Sequence, residues 1–285
     1  MLVRLNQNKI NPNYFYQVLN SDYFFRLLHI LKSGSSIPHI FQRDMLNFKF
    51  PICSLEEQEK IAIFLEKIDK KIELLEKKLF LYQKLEKKLR TNIFDFNNVK
   101  IDFKKYQLGE IANIKKGFTP STQNEEYWND GNYYWLSIAD MNEKYLKETT
   151  KKITEKAIKN KQIIKKGTLV MSFKLTIGKL GILMDDMFTN EAIASFDWKT
   201  NEILTEYMYF YLKSINIKKY GSIAAKGITL NNETLNAIPV YLPKINKQKE
   251  IVEILLSFNN KIKLIKIQTT ALMKFKKGLL EKMLI

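Results

Sequence analysis

The sequence predicts an α+β protein in which one mixed domain lies between two long antiparallel coiled-coil helices. Apolar heptad patterns over residues 55–94 and 245–285 predict the two helices. Between them, residues 105–243 hold short β-branched and aromatic runs separated by glycine turns, which is typical of strands. The two helical segments also repeat one another, since Gln58 aligns with Gln248 and the similarity continues without a gap.

Each predicted helix has a charged back and one narrow apolar stripe. An apolar stripe of this width must be covered by a partner. The simplest partner is the other long helix of the same chain. Antiparallel packing suits two helices that are separated by a compact domain. Only Glu86 interrupts the first stripe, whereas Thr269 and Lys276 interrupt the second. The residues predicted to pair the helices are Ile61, Leu65, Ile68, Ile72, Leu75 and Leu79 in the first, and Ile251, Leu255, Phe258, Ile262, Ile265 and Leu272 in the second.

The repeat begins upstream of the helices. Residues 35–55 align with residues 225–245, and each copy places a strand-like stretch ("FKFPI", "AIPVYLP") just before its helix. The repeat unit is therefore the end of a globular domain, a short strand and a long helix. We predict four segments from this pattern: 1–50, the distal remnant of a first globular domain; 51–97, the first helix; 98–243, a complete domain; and 244–285, the second helix.

The middle domain has clear strand and turn signals. Residues 129–141 predict an aromatic strand after a tight turn, residues 165–183 predict two strands around a turn at Gly178, and residues 190–198 predict a further strand. Residues 204–215 predict an amphipathic helix.

The composition is strongly basic. The chain of 285 residues has 47 Lys and Arg against 30 Asp and Glu, a formal charge of +17. Nucleic acid and anionic membranes are the usual partners of such a charge, although biased codon usage also enriches lysine. There is no long apolar run and no signal peptide, so we expect a soluble, cytoplasmic protein without a membrane partner. Cys53 is the single cysteine, which excludes an intrachain disulfide.

Lysines beside turn glycines are the candidate nucleic-acid contacts. Backbone amides and an ammonium group can reach a phosphate together at such a turn. The alternative is that these are solvated turn lysines. Arginine, the usual bidentate reader of guanine, is nearly absent from this domain, so base recognition would fall to other polar side chains. The candidate DNA-binding residues are Lys115, Lys116, Thr119, Ser121, Lys174, Thr176, Lys179 and Lys226.

No motif in the chain predicts a catalytic centre or a metal site. There is no Walker loop, and no glycine-rich loop for a methyl-donor cofactor. A nuclease would need a carboxylate followed by Glu-x-Lys, but the Glu-x-Lys triplets that begin at Glu76 and Glu86 lie on the first long helix. We therefore expect them to be solvated charges. No catalytic and no metal-binding residue is predicted.

Several stretches resemble the specificity subunit of type I restriction-modification systems. They are "FKFPICSLEEQEKIAIFLEKIDKKIELLEKKL" and its repeat, "LGEIANIKKGFTPS" with the following "WLSIADM", and "KKGTLVMSFKLTIGKLGIL" with "NEAIASF". The resemblance implies two target recognition domains separated by two antiparallel conserved helices, with each domain recognising half of a bipartite sequence in double-stranded DNA. It implies methyltransferase subunits that modify adenine with S-adenosylmethionine, and a restriction subunit that uses ATP and Mg²⁺. It also implies that this chain has no catalytic role and no cofactor of its own.

The sequence departs from that family pattern before residue 55, where only the distal part of a first target recognition domain is expected. Such a chain could form a homodimer, could be completed by another specificity-subunit fragment, or could be an inactive truncated subunit. Two other classes stay open. One is a coiled-coil adaptor whose mixed domain binds protein, and the other is an unrecognised nuclease or methylase. The DNA sequence recognised and the methylated position do not follow from these residues.

Overall fold

A computed structural model describes residues 2–32, 40–96, 102–224 and 227–283. It confirms the α+β class. The helices are α1 (Pro12–Leu19), α2 (Asp22–Lys32), α3 (Gln42–Leu46), α4 (Leu55–Ile93), α5 (Leu108–Ile111), α6 (Glu155–Ile158), α7 (Thr205–Ser214), α8 (Asn232–Asn236) and α9 (Ile245–Met283). The strands are β1 (Lys104–Gln107), β2 (Ala112–Lys116), β3 (Tyr133–Leu136), β4 (Tyr145–Leu146), β5 (Lys151–Ile153), β6 (Leu169–Ser172), β7 (Leu180–Leu183), β8 (Phe188–Thr189), β9 (Ile193–Trp198), β10 (Ser222–Ala224), β11 (Gly227–Thr229) and β12 (Pro239–Leu242).

The chain forms two compact units. The first consists of residues 1–85 and 258–285, and the second of residues 86–257. Both divisions fall inside a long helix, so the units cut across the four segments predicted from the sequence. Those segment boundaries rest on the internal repeat and stay a prediction.

The second unit is built on a five-stranded sheet in the order β2-β9-β6-β7-β4. A three-stranded sheet, β5-β3-β8, and the pairs β1-β12 and β10-β11 complete it. All residues of β6 and β7 are buried, which explains their continuous apolar sequences. Helix α7 differs from the amphipathic helix that its sequence predicts, because all six residues from Tyr207 to Leu212 are buried. The hydroxyl of Tyr207 is satisfied inside the unit by donating to the carbonyl of Tyr241, 2.6 Å away.

In the first unit, the helical segments 55–85 and 258–283 run antiparallel. The Tyr82 and Phe258 rings lie 6.3 Å apart, while Ile61, near the start of α4, shares a core with Leu280, near the end of α9. Helix α1 packs into the same core through Tyr14. Among the residues that the structure describes, no helix has a stretch apolar and long enough to cross a membrane.

The residues predicted to pair the helices lie along the inner sides of α4 and α9. In the first unit, Ile61, Leu65, Ile68 and Ile265 are buried, and Ile72, Leu75, Leu79, Phe258, Ile262 and Leu272 are half-buried. In the second unit, Ile251 and Leu255 are buried in the core of that unit.

The polar residues that interrupt the stripes all have partners. Lys276 contacts the Asp69 carboxylate at 2.6 Å, and the Thr269 hydroxyl donates to the Ile265 carbonyl of its own helix. The prediction that Glu86 is a solvated charge was wrong. Glu86 is buried and accepts a hydrogen bond at 3.1 Å from Arg90, one helical turn later. Stripe position therefore decided its environment, and the Glu-x-Lys spacing had no bearing on it.

A buried glutamine fixes the start of α4. The amide of Gln58 donates to the carbonyls of Lys9, at 3.0 Å, and Cys53, at 2.9 Å. Its oxygen accepts from the backbone N–H of Asn11 at 2.8 Å. One side chain thus joins the chain before α1, the chain before α4 and α4 itself.

Gln248 makes the same set of bonds at the start of α9. Its amide donates to the carbonyls of Glu202, at 2.8 Å, and Pro243, at 2.9 Å, and its oxygen accepts from the N–H of Leu204 at 2.9 Å. Pro243 aligns with Cys53 in the repeat, and Leu204 precedes α7 as Asn11 precedes α1. We call each set a glutamine junction. The two copies of the sequence repeat therefore form equivalent hydrogen bonds at the starts of their helices.

The strand-like stretch differs between the two copies. In the second unit it forms β12, which pairs with β1 in the register Tyr106↔Val240. In the first unit residues 48–52, predicted to be strand-like, have no regular structure. A strand needs a neighbour for its backbone hydrogen bonds, and no described segment of the first unit supplies one.

We expect replacement of Gln248 by alanine to loosen the second unit locally. It leaves one backbone N–H and two carbonyls without their partner, a loss of about 3 kcal/mol. Amide hydrogen exchange at Leu204 should accelerate by at least about tenfold, while exchange at Asn11 should not change. Replacement of the exposed Gln268 by alanine is the matched control, and equal effects from both variants would contradict the role of the junction.

Candidate nucleic-acid interface

The predicted lysine loops lie at one end of the five-stranded sheet. Strands β2 and β6 are both antiparallel to β9, and both end beside its first residues, with Lys116 opposite Ala194 and Ser172 opposite Ile193. The loop after β2 and the loop after β6 therefore leave the sheet at the same edge. This arrangement brings together residues that are far apart in sequence.

One buried ring joins the two loops. The ammonium of Lys116 lies 5.0 Å from the centroid of Phe173, and that of Lys174 lies 5.7 Å from the same ring. The N–H of Leu230, which follows β11, donates to the carbonyl of Phe173 at 3.4 Å. The chain leaving the third predicted loop thus reaches the same place, although Lys226 itself lies outside the described residues.

The other predicted residues of these loops are partly engaged within the fold. The ammonium of Lys179 donates to the Ile138 carbonyl at 3.1 Å and contacts the Asn142 amide oxygen at 3.3 Å. Lys115 lies 3.8 Å from the Asp197 carboxylate. The ammonium groups of Lys179 and Lys115 therefore contribute to the structure of the loops and are not fully available to a ligand. The side chain of Thr176 is exposed.

Thr119 and Ser121 organise the loop after β2. The Thr119 hydroxyl donates to the Glu191 carboxylate and accepts from the Asn190 amide at 3.0 Å. The Ser121 carbonyl accepts from the indole N–H of Trp128 at 3.0 Å. Both are therefore already hydrogen-bonded within the loop region.

Gly117 is required by a close approach. A Cβ at this position would lie 2.0 Å from the carbonyl oxygen of Thr189. Any side chain would push the lysine-bearing end of β2 away from β8.

Sequence reasoning missed a group of lysines between α6 and β6. Lys161 and Lys165 line a cleft of about 510 Å³ together with Lys115 and Lys116. Lys165 is paired with Asp186 at 2.7 Å, and Lys161 lies 5.4 Å from the ring centroid of Phe118. The lysine-rich run "KNKQIIKK" (159–166) could have indicated this group. It was missed because the prediction considered lysines around glycine turns, and Lys161 is not beside a glycine.

Three of these cations have no acidic partner. Within the described residues, no carboxylate lies within ion-pair distance of Lys116, Lys161 or Lys174. Unpaired ammonium groups at one sheet edge create a positive potential that attracts phosphate. No group of three His, Cys, Asp or Glu side chains suited to a metal ion occurs in the part of the chain that is described.

The loop between β6 and β7 has a strained leucine at its tip. Leu175 has a φ of +59°, a left-handed conformation that costs a leucine about 1–2 kcal/mol. Ser172 holds the loop closed beneath it. Its hydroxyl donates to the Thr176 carbonyl and accepts from the Lys179 N–H at 3.0 Å, while its carbonyl accepts from the Gly178 N–H at 2.9 Å.

Asp140 stabilises the turn after β3. It accepts the backbone N–H and hydroxyl of both Ser137 and Thr150. Burial alone would raise the pKa of Asp140, but these hydrogen bonds outweigh it and leave the pKa below its usual value. The carboxylate therefore serves the fold and is not available as an acid or base.

Lys144 is a basic residue of the unit that faces inward. Its ammonium lies 4.6–5.2 Å from the ring centroids of Tyr145, Tyr209 and Phe210 and has no hydrogen-bond partner within the described structure. Burial lowers the pKa of Lys144 to about 8, with the nearby Glu206 opposing this effect and Lys213 adding to it. Lys144 is therefore a poor phosphate contact.

Most of the chain matches one known protein family. The family model described as "Type I restriction modification DNA specificity domain" matches residues 1–84 and 100–274. Because these spans cover well over half of the chain, the chain belongs to this family.

Curated relatives include two type I restriction enzyme specificity subunits of Methanocaldococcus jannaschii. The MjaIX subunit is 27% identical over 176 residues, which cover 59% of this chain and 40% of the relative. The MjaVIII subunit is 24% identical over an alignment of 310 positions, gaps included, which covers 94% of this chain and 70% of the relative. The chain thus matches well under two thirds of the length of the first of these relatives.

The crystal structure of the type I restriction-modification S subunit from M. genitalium has the same fold. The two align with a TM-score of 0.66 at 19% identity, over 99% of this chain and 74% of that chain. The long helices and the mixed domain are therefore features of a known architecture.

We predict that replacing Lys144 by methionine changes how stability depends on pH. Between pH about 8 and the unfolded lysine value of about 10.4, the folded wild type binds fewer protons than the unfolded chain, so its stability rises with pH. Urea unfolding at pH of about 7.5 and about 9.5 measures this. At the lower pH the methionine variant should have the larger free energy of unfolding, because it does not bury a charge. Its margin over the wild type should be smaller by roughly 1 kcal/mol at the higher pH, after discounting for the partial exposure of the side chain. Parallel pH profiles for the two proteins would contradict the assignment.

Proposed function

We propose that this chain is the DNA sequence-recognition subunit of a type I restriction-modification complex. It recognises a half-site in duplex DNA through the second unit and docks the adenine methyltransferase subunits. The observation that carries the proposal is the family match, which includes most of both long helices and the mixed domain. Its specificity-subunit relatives support the same role.

The DNA-facing surface in this proposal is the sheet edge formed by the loops after β2 and β6, together with the adjoining cleft that Lys161 lines beside Lys116. Lys116, Lys161 and Lys174 supply cations without acidic partners. Lysine contacts to phosphate give affinity without sequence information, so base recognition depends on neighbouring polar side chains such as Thr176. Because arginine is scarce in this unit, guanine recognition through bidentate arginine is not expected.

The chemistry belongs to the partners in this proposal. The methyltransferase subunits would bind S-adenosylmethionine, and a restriction subunit would use ATP and Mg²⁺. This chain would contribute recognition and spacing without catalysis and without a cofactor of its own. The support for this division of roles is that the relatives of this chain are specificity subunits.

We further propose that a second recognition domain covers the face of the first unit formed by α1 and residues 48–52. The stretch "YFYQVLNS" (14–21) in α1 resembles "YMYFYLKS" (207–214) in α7. Within them Tyr16 is 60% exposed, whereas the corresponding Tyr209 is 7% exposed. Ile52 is 53% exposed, whereas the aligned Leu242 of β12 is 9% exposed. Apolar positions that the mixed domain covers in the second unit are open in the first. A second copy of the chain, or a complementing specificity-subunit fragment, would supply that domain.

We expect loss of the unpaired lysines to weaken DNA binding in a salt-dependent way. With the full chain and duplex DNA, alanine at Lys116 or Lys174 should lower affinity across sequences and reduce the slope of log K against log salt by about 1 each. Alanine at Lys70, an exposed lysine paired with Glu66 on α4, is the charge-matched control. Binding that ignores salt, sequence and these substitutions would contradict the DNA interface and favour a protein-binding adaptor.

The association proposal predicts a defined mass. Light scattering after gel filtration should give twice 33.7 kDa for the chain alone, or a one-to-one complex when a fragment carrying a recognition domain is co-expressed. Glutamate at Tyr16 together with glutamate at Ile52 should abolish either assembly, because it places charges on the apolar face. Glutamate at the exposed Leu74 is the control. A monomer under both conditions would contradict the proposal.

A further inference from the structure

The loop between β6 and β7 presents an apolar tip to solvent. Leu175 is 90% exposed, the highest value among the exposed large hydrophobic side chains in the described part of the chain. It also has a positive φ, which leucine rarely adopts. The other described non-glycine residues with positive φ are the polar residues Asp130 and Lys159. Leu175 is therefore unfavourable both in its exposure and in its backbone conformation.

Folding gives no reason for a leucine at this position. The loop is closed by the hydrogen bonds of Ser172, which involve only backbone groups of Thr176, Gly178 and Lys179. The Leu175 side chain adds nothing to that closure. Glycine or asparagine would fit the left-handed backbone better and would expose less apolar surface. Residues held in such conformations are concentrated at functional sites.

The surroundings of the tip are cationic. Lys174 precedes Leu175 and lies over Phe173, and Lys116 lies over the same ring. At the base of the loop, Lys179 is bonded to the Ile138 carbonyl, which holds the loop against the rest of the unit. An apolar tip beside unpaired ammonium groups matches duplex DNA, whose anionic backbones enclose an apolar stack of bases.

We propose that Leu175 is an apolar wedge that inserts between two adjacent base pairs of the bound duplex and partly unstacks them. Lys174 and Lys116 then contact the flanking phosphates. This inference rests on the proposed function of DNA recognition and adds a residue that selects for base steps that are easily unstacked. It also assigns a purpose to the strained backbone, which fixes the direction of the tip before DNA binds.

The test uses the full chain and a duplex of about 30 base pairs selected by the wild type from a random pool. The adenine analogue 2-aminopurine is placed at successive positions, since its fluorescence rises when it is unstacked. Wild type should raise the fluorescence at one base step. L175N should weaken binding about tenfold and abolish the rise, with an unfolding temperature equal to or above that of the wild type because asparagine tolerates positive φ. L175M should behave as the wild type, and K174A should bind more weakly but keep the fluorescence rise at saturation.

Different results would contradict DNA recognition and the insertion of Leu175. If the wild type selects no duplex, DNA recognition itself is wrong. If it selects a duplex but no position becomes unstacked, or if L175N binds and unstacks as the wild type does, the wedge is wrong and DNA recognition stands. If L175N keeps full DNA binding but no longer co-purifies with a methyltransferase subunit, Leu175 is a protein contact and the wedge is again wrong.

Discussion

The arrangement of the second unit depends on the buried amide of Gln248. This one side chain holds the chain before α7, the residue after β12 and the first turn of α9. Its partners are all backbone groups, so the junction places no demand on neighbouring side chains. Once β12 is fixed, β1 pairs with it, and the chain runs through α5 directly into β2. The hydrogen bonds of Gln248 thus fix one end of the segment path β12, β1, α5 and β2, and Lys116 lies at the other end of that path.

Interior and loop charges are treated in opposite ways. Glu86, Arg90 and Lys276 are shielded from solvent, and each has a partner at hydrogen-bond distance. The inward-facing Lys144 is the exception, because only aromatic rings lie beside its ammonium and burial lowers its pKa. At the sheet edge, Lys116 and Lys174 have only an aromatic ring beneath them. An aromatic ring orients an ammonium without neutralising it, so the charge stays available to a ligand. The candidate binding lysines, Lys116 and Lys174, are therefore those that are exposed and lack an acidic partner among the described residues.

Much of the fold could be predicted from periodicity and repetition, because heptads, turns and buried strands leave local patterns in the sequence. Helix α7 was harder, since a helix buried on every side loses its amphipathic signal. The segment 48–52 resembles a strand in sequence but has no neighbour to pair with, and pairing is not a local property. At the candidate site, glycine turns indicated Lys116 and Lys174, whereas Lys161 and the shared Phe173 ring depend on tertiary contacts. The positive φ of Leu175 has no sequence signal, because leucine is the residue that this conformation disfavours.

The two glutamine junctions also bear on how new specificities can arise. Each junction joins the first turns of its helix to the chain that precedes it, so a genetic crossover farther along the helical repeats would transfer a domain together with every hydrogen bond of its junction. The recombinant chain would inherit a complete glutamine junction, whatever the transferred domain recognises. Exchange at this position would alter the bound sequence while leaving the helix start chemically unchanged. The repeated helices thus make this protein architecture modular at the level of the gene.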